Sequence, residues 1–146
     1  MPSGDRGWVA YSEMLAVAWP PEDIGHSPRE IFTVKWVDRD HPIARGLPPT
    51  FVANDELYHR ITVRPNAHVL ATAYDDPANG GTRTAARAAA TGKDEPMVWV
   101  VPYGKGRVVY TSLGHDVRAM SQPGFIALLT RGTEWAATGK VTLPAY

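Results

Sequence analysis

Apolar and β-branched residues alternate with polar ones in several stretches of the chain, and this period of two predicts β-strands. Residues 31–37 and 68–74 are two such stretches. Residues 95–116 contain two more apolar runs, one on each side of Gly104-Lys105-Gly106. We therefore expect a β-hairpin there, with both glycines at positive φ.

Apolar residues recur at helical spacing near both ends of the chain. Trp8, Tyr11 and Leu15 predict a short first helix that ends before a pair of prolines. Pro123 is suited to begin a second helix and Gly139 to end it. The residues expected on one face of this second helix are Phe125, Leu128, Leu129, Gly132, Trp135 and Ala136. We expect its large apolar residues, both leucines included, to pack on a sheet.

The chain has 146 residues, which fits one domain with a single core. Composition changes abruptly over residues 75–95, which are rich in Gly, Ala and charged residues. We interpret that stretch as a solvent-exposed insertion within a single domain covering residues 1–146.

Composition also excludes several classes of function. Lys plus Arg and Asp plus Glu each total 15, so no basic field would attract nucleic acid. The absence of cysteine excludes a disulfide framework, a thiolate metal site and a cysteine nucleophile. No apolar run approaches the roughly 20 residues that cross a bilayer, and the N-terminus lacks a secretory signal pattern. We expect a cytoplasmic protein with no membrane or nucleic-acid partner.

His115 is the first candidate for chemistry. It follows the second strand of the predicted hairpin, and open α/β sheets bind ligands beyond the ends of such strands. Imidazole titrates near neutral pH, so His115 could act as a general acid or base; the alternative is a hydrogen-bonded structural histidine. Asp116 would fix the tautomer of that imidazole or cap the following turn.

A second group of candidates combines carboxylates with an aromatic ring. Asp55 and Glu56 could accept hydrogen bonds from sugar hydroxyls, while the Tyr58 ring packs on the apolar side of a sugar. In a strand Glu56 and Tyr58 would share a face, which favours that pair. Asp55 would otherwise cap a turn, and Glu56 would be solvated. His26 lies in a loop that could reach the same cleft or remain on the surface.

Two other motifs are better explained by turns. Asp38, Asp40 and His41 resemble a metal cluster, but Asp and Pro in a turn account for the same residues. The Gly104-Lys105-Gly106 turn resembles a phosphate-binding loop, yet it precedes a strand, whereas such loops open a helix. We predict no metal and no cofactor.

Six segments of the chain together resemble the trehalose-utilisation (ThuA-like) domain family. In order, they are residues 37–48, 55–58, 96–99, 103–108, 113–116 and 131–137. The resemblance implies a flavodoxin-like three-layer α/β/α fold, similar to that of class I glutamine amidotransferases, and a role in bacterial sugar metabolism.

The chain departs from that family at its start, because family domains usually begin with a series of β/α units before the segment at Met1. The resemblance therefore implies the C-terminal two thirds of a family domain. A shortened sheet would leave an apolar edge or face uncovered, so we expect self-association into a homo-oligomer.

Two classes of function remain open for the sequence. One is an enzyme that acts on trehalose, another disaccharide or a keto-sugar, with His115 and Glu56 as catalytic residues. Its substrate-binding residues would be Tyr58, Asp55, Asp116 and His26. The other is a non-catalytic carbohydrate-binding or assembly module. Amidotransfer is excluded, since it needs a cysteine thiolate.

Overall fold

A computed structural model describes residues 9–18, 24–79 and 89–145. The helices are α1 (Val9–Leu15), α2 (Val117–Met120) and α3 (Pro123–Thr138), and a short 3-10 turn spans Pro77–Asn79. The strands are β1 (Val17–Ala18), β2 (Gly25–His26), β3 (Glu30–Trp36), β4 (Thr50–Asp55), β5 (Tyr58–His59), β6 (Thr62–Val63), β7 (His68–Tyr74), β8 (Asp94–Tyr103) and β9 (Gly106–Thr111).

The main sheet has five strands in the order β4-β3-β7-β8-β9. Every neighbouring pair in it is antiparallel. The chain is thus an α/β protein with few helices, but the parallel sheet of a flavodoxin-like three-layer α/β/α fold is absent from the described residues. That expectation rested on family resemblance, and short hairpin connections favour antiparallel pairing instead.

The strands predicted from alternation are confirmed. β7 has the expected bounds, and β3 is displaced by one residue. The predicted hairpin is formed by β8 and β9, in which Val101 pairs with Val108. Gly104 has φ +57°, as its place in the turn requires, but Gly106 does not adopt a positive φ. One left-handed residue is enough for this connection.

The main core lies between the sheet and α3. Phe125 and Leu128 are buried in it, whereas Leu129 is 53% exposed, so its predicted packing on the sheet is wrong. Residue 129 lies one helical step beyond the buried stripe. Trp135 is partly buried against the same core. As predicted, α3 ends at Gly139, which has φ +78°.

A smaller core lies around the end of α1, on part of β8. Trp99 is fully buried there and donates from Nε1 to the Leu15 carbonyl at 2.8 Å. Trp8, which was expected to open the first helix, lies outside the described residues. None of the described helices is long and apolar enough to span a bilayer.

The stretch interpreted as an insertion is anchored at both ends, while residues 80–88 lie outside the described part. Asp75 is fully buried, 2.9 Å from His59 Nδ1, and accepts from the Thr91 amide at 2.7 Å. Glu95 belongs to β8 and accepts from the Thr91 hydroxyl at 2.7 Å. Both ends of the stretch therefore belong to the folded body.

Candidate functional site

Four of the six candidate residues meet at one edge of the molecule. Antiparallel pairing of β2 with β5 places His26 opposite Tyr58, with ring centroids 5.1 Å apart. Glu56 lies in the short connection between β4 and β5, and His115 lies in the loop after β9. Elements distant in sequence thus supply two imidazoles, a carboxylate and a phenol to one place.

Glu56 is the centre of this group. Its Oε2 atom lies 3.1 Å from His115 Nδ1 and 3.4 Å from His26 Nδ1. The carboxylate side chain is only 17% exposed, whereas both histidines are nearly half exposed. Oε2 is buried and has no hydrogen-bond partner among the described residues, and the hydrogen-bond partner of His26 Nδ1 is the Ser27 carbonyl at 2.9 Å. One buried carboxylate oxygen is therefore shared between two solvent-accessible imidazoles.

Tyr58 is joined to the same carboxylate by a hydrogen bond with Glu56. Burial raises the pKa of the Tyr58 phenol, and the negative charges of Glu56 and Asp55 raise it further. The phenol therefore stays protonated at neutral pH and can donate a hydrogen bond.

A cavity of about 220 Å³ opens between Tyr58 and His115. Tyr110 and residues 111–114 form the rest of its lining. Tyr110 stacks on Trp99 with a centroid distance of 4.2 Å and an interplanar angle of 20°. The cavity thus has two aromatic side chains and an imidazole in its wall. Tyr110 was not among the candidates from the sequence. Its position in β9, the strand that leads to His115, was the one feature that could have indicated it.

Asp55 has a different place from the other candidates, because its side chain is 2% exposed. Its carboxylate accepts from the backbone amides of Gly114 at 2.6 Å, His115 at 3.3 Å and Glu56 at 2.8 Å. It holds the His115 loop against the end of β4. Asp55 positions the site residues and is not itself open to a ligand.

The loop that Asp55 holds requires a glycine. Gly114 has φ +100°, and a Cβ there would lie 2.8 Å from the Phe125 ring. Both the backbone conformation and the close approach of the ring exclude a side chain at this position.

Asp116 also acts on the backbone. It caps α2 by accepting from the Ala119 amide at 3.0 Å, and it forms an ion pair with Arg29. The hydrogen bond from Ala119 lowers the pKa of Asp116, and the Arg29 charge lowers it further. Of the two roles considered for Asp116, the capping role is confirmed, while the partner of His115 Nδ1 is Glu56.

Asp38, Asp40 and His41, which resembled a metal cluster in the sequence, form a turn, as predicted. Asp38 Oδ1 accepts from the amides of Asp40 at 3.0 Å and His41 at 3.1 Å. Its other oxygen lies 2.8 Å from His68 Nε2. In the described ranges, no group of three or more His, Cys, Asp or Glu side chains is arranged to hold a metal ion.

The geometry permits proton transfer. An imidazole whose Nδ1 faces a carboxylate keeps Nε2 for a ligand, and the carboxylate stabilises the imidazolium that forms when Nε2 accepts a proton. The neighbouring rings offer flat apolar surfaces to a polar molecule.

Comparisons with known proteins bear on what such a molecule would be. A family model described as trehalose utilisation (ThuA) matches residues 4–136. The chain is similar to a crystal structure of a ThuA-like protein from Parabacteroides merdae, with 37% identity and a TM-score of 0.72. That match covers 84% of this chain and 44% of the other protein. No curated protein matches significantly.

Two more distant structures share the fold alone. One is a ThuA-like protein from Bacteroides uniformis, at 19% identity and a TM-score of 0.64, covering 94% of this chain and 56% of that one. The other is a cytoplasmic protein from Salmonella typhimurium, at 17% identity and a TM-score of 0.57, covering 90% and 47%. The chain spans about half the length of these three proteins.

Proposed function

Because the chain belongs to the trehalose-utilisation (ThuA) family, we propose that it binds a carbohydrate in the cavity beside Tyr58 and acts on it by proton transfer. The ligand class is a disaccharide such as trehalose, or its keto derivative. The observation that carries the proposal is the convergence of His26 and His115 on the buried Glu56 oxygen. Of these three residues, His115 also lines the aromatic cavity, together with Tyr58.

The cavity suits one sugar ring. Its volume of about 220 Å³ is below the ~300–1,000 Å³ of sites that enclose drug-sized ligands. A second ring of a disaccharide would lie outside it. Tyr58 and Tyr110 supply faces for the apolar side of the ring, and the His115 side chain reaches its hydroxyls.

His115 is the proposed catalytic residue. Its Nε2 would take a proton from a sugar hydroxyl or from a carbon next to a carbonyl, and Glu56 would stabilise the resulting imidazolium. His26, which faces the same carboxylate, would donate a proton to the ligand or bind it. Tyr58 would hold Glu56 through its hydrogen bond.

A ligand panel tests binding first. Trehalose, other disaccharides and their keto derivatives are added in turn, and the melting temperature is measured, since a ligand of the native state raises it. Tyr110→Ala should abolish the shift produced by any sugar that binds in the cavity. A panel that produces no shift at millimolar concentrations would contradict carbohydrate binding.

Turnover of a ligand from that panel then tests catalysis. His115→Asn should lower the rate about 100-fold or more, as expected for loss of a general acid or base. His68→Asn is the matched control, because His68 is exposed on β7 and does not line the cavity. Full activity of the His115→Asn protein would leave the second candidate function, a non-catalytic carbohydrate-binding module.

We further propose a cytoplasmic homo-oligomer. The Salmonella neighbour described as a cytoplasmic protein supports the location. Exposed apolar residues on one face of the sheet, Ile31 and Val52, support self-association.

A further inference from the structure

We infer that a second cavity, at the C-terminal end of α3, binds an oxyanion of the phosphate class. The cavity has a volume of about 450 Å³ and shares no lining residue with the Tyr58–His115 cavity. Three basic residues, Arg45, Arg131 and Lys140, line it, and none of its lining residues is acidic.

Arg131 gives this cavity its buried charge, since the residue is only 4% exposed. Four guanidinium N–H groups are held by backbone carbonyls. They are Nε to Ile43 at 2.7 Å, Nη1 to Leu143 at 2.8 Å, and Nη2 to Pro42 at 2.9 Å and Arg45 at 2.7 Å. A guanidinium has five such donors, so one on Nη1 is left outside these bonds.

The carbonyls fix Arg131 but do not neutralise it. Burial lowers the pKa of Arg131, and the charge of Glu134 opposes that effect. Glu134, however, is engaged by other donors: its Oε1 accepts from the Thr142 amide and hydroxyl, and its Oε2 from the Leu143 amide. A buried cation is costly without a full counter-charge, so an anion in the cavity would be stabilised.

Arg45 and Lys140 are exposed at the same cavity and can add further donors. Arg45 uses one Nη2 contact, to the Asp40 carbonyl at 2.6 Å, which holds the guanidinium in place. A phosphate group presents several acceptor oxygens and matches a set of convergent Arg and Lys donors. Acetate carries less charge and fewer acceptors, so it should bind more weakly.

Titration calorimetry of the whole chain with inorganic phosphate tests the inference. We expect saturable binding and, at ten times Kd, a rise in melting temperature of about 3–6 °C. Sodium chloride and acetate at equal ionic strength should give much smaller effects. Glycerol phosphate serves as a second probe: tighter binding than inorganic phosphate would identify a phosphoester ligand, and weaker binding would identify the free ion.

Arg45→Ala and Lys140→Ala should each raise the Kd for phosphate about tenfold, as expected for loss of a charged donor. Both residues are exposed, so these variants should keep the fold. Lys105→Ala, in the β8–β9 turn, is the matched control and should bind as the unaltered chain does. Absence of saturable binding, an equal effect of chloride, or equal weakening by Lys105→Ala would overturn the inference.

Discussion

Asp55 shows how one buried carboxylate can set the geometry of a site that it does not enter. Its two oxygens receive amides from Glu56, Gly114 and His115. The shortest of these hydrogen bonds, from the Gly114 amide, joins residues that are 59 positions apart in the sequence. The separation of His115 from Glu56 therefore depends on this carboxylate.

Asp55→Asn tests that dependence. An amide can present only one acceptor oxygen, so at least one buried N–H would face another donor. We expect a loss of about 2–4 kcal/mol in unfolding free energy, measured by urea denaturation. Asp94→Asn, at an exposed position on β8, is the control and should change stability by less than about 0.5 kcal/mol. Equal stability of the two variants would show that Asp55 does not hold the loop.

Sequence patterns predicted the residue types of the site better than their roles. His115, Glu56 and Tyr58 were candidates for one site, and the structure brings them together. Only His115 follows a strand with a clear apolar pattern, so the sequence alone left that convergence open. His26 could not be distinguished from a surface histidine, since its position depends on the pairing of two very short strands. The role of Asp55 depends on contacts with a distant loop, which no local pattern shows.

At the scale of elements, α3 and the β8–β9 hairpin follow directly from their sequences. Pro123 and Gly139 mark the ends of the helix, and Gly104 marks the turn. The sheet was harder to predict, because β4 has weak alternation and β5 and β6 have only two residues each. Strand direction, too, is set by connections between elements and not by the pattern within a strand.

Leu128 and Leu129 are a matched pair for testing how α3 packs. Leu128 is 1% exposed, whereas Leu129 is mostly in solvent. Leu128→Ala should lower the unfolding free energy by about 2–5 kcal/mol, and Leu129→Ala by less than about 1 kcal/mol. Urea denaturation of both variants measures the difference. Similar losses would mean that the helix is rotated from the orientation described.

At the scale of the whole molecule, stability should fall in acid. Hydrogen bonds from the Thr142 hydroxyl and amide hold the pKa of Glu134 below its usual range. A carboxyl whose pKa is lowered in the folded state contributes stability above its unfolded pKa, and this contribution is lost as pH falls. The urea midpoint should therefore decrease from pH 5 towards pH 3.

Glu134→Gln should show a smaller decrease than the unaltered chain over the same range, because the amide does not titrate. Thr142→Val removes the hydroxyl that makes the largest contribution to the lowered pKa of Glu134. This variant should therefore also show a smaller decrease of the urea midpoint in acid, though less so than Glu134→Gln. If the acid profile of Glu134→Gln matches that of the unaltered chain, the contact between α3 and the following segment does not contribute to acid stability.

We also expect the chain to self-associate. Ile31 and Val52 are 69% and 54% exposed on the face of β3 and β4 that turns away from α3. Such a face can be buried against a second copy of the chain. Sedimentation across a wide concentration range should show association, and Ile31→Lys should weaken it. A single monomeric species at every concentration would show that this face stays in water.

Because Asp55 bonds to backbone amides and not to side chains, substitutions in the site can alter the side chains without altering the path of the loop. The loop is held by main-chain amides, which every substitution except proline preserves, whereas a ligand of the proposed site would contact the side chains of Tyr58, Tyr110 and His115. A new preference can therefore arise by exchanging those side chains while the loop keeps its path. The proposed site of this chain could therefore change its ligand with little risk to folding, provided that Asp55 and Gly114 are kept.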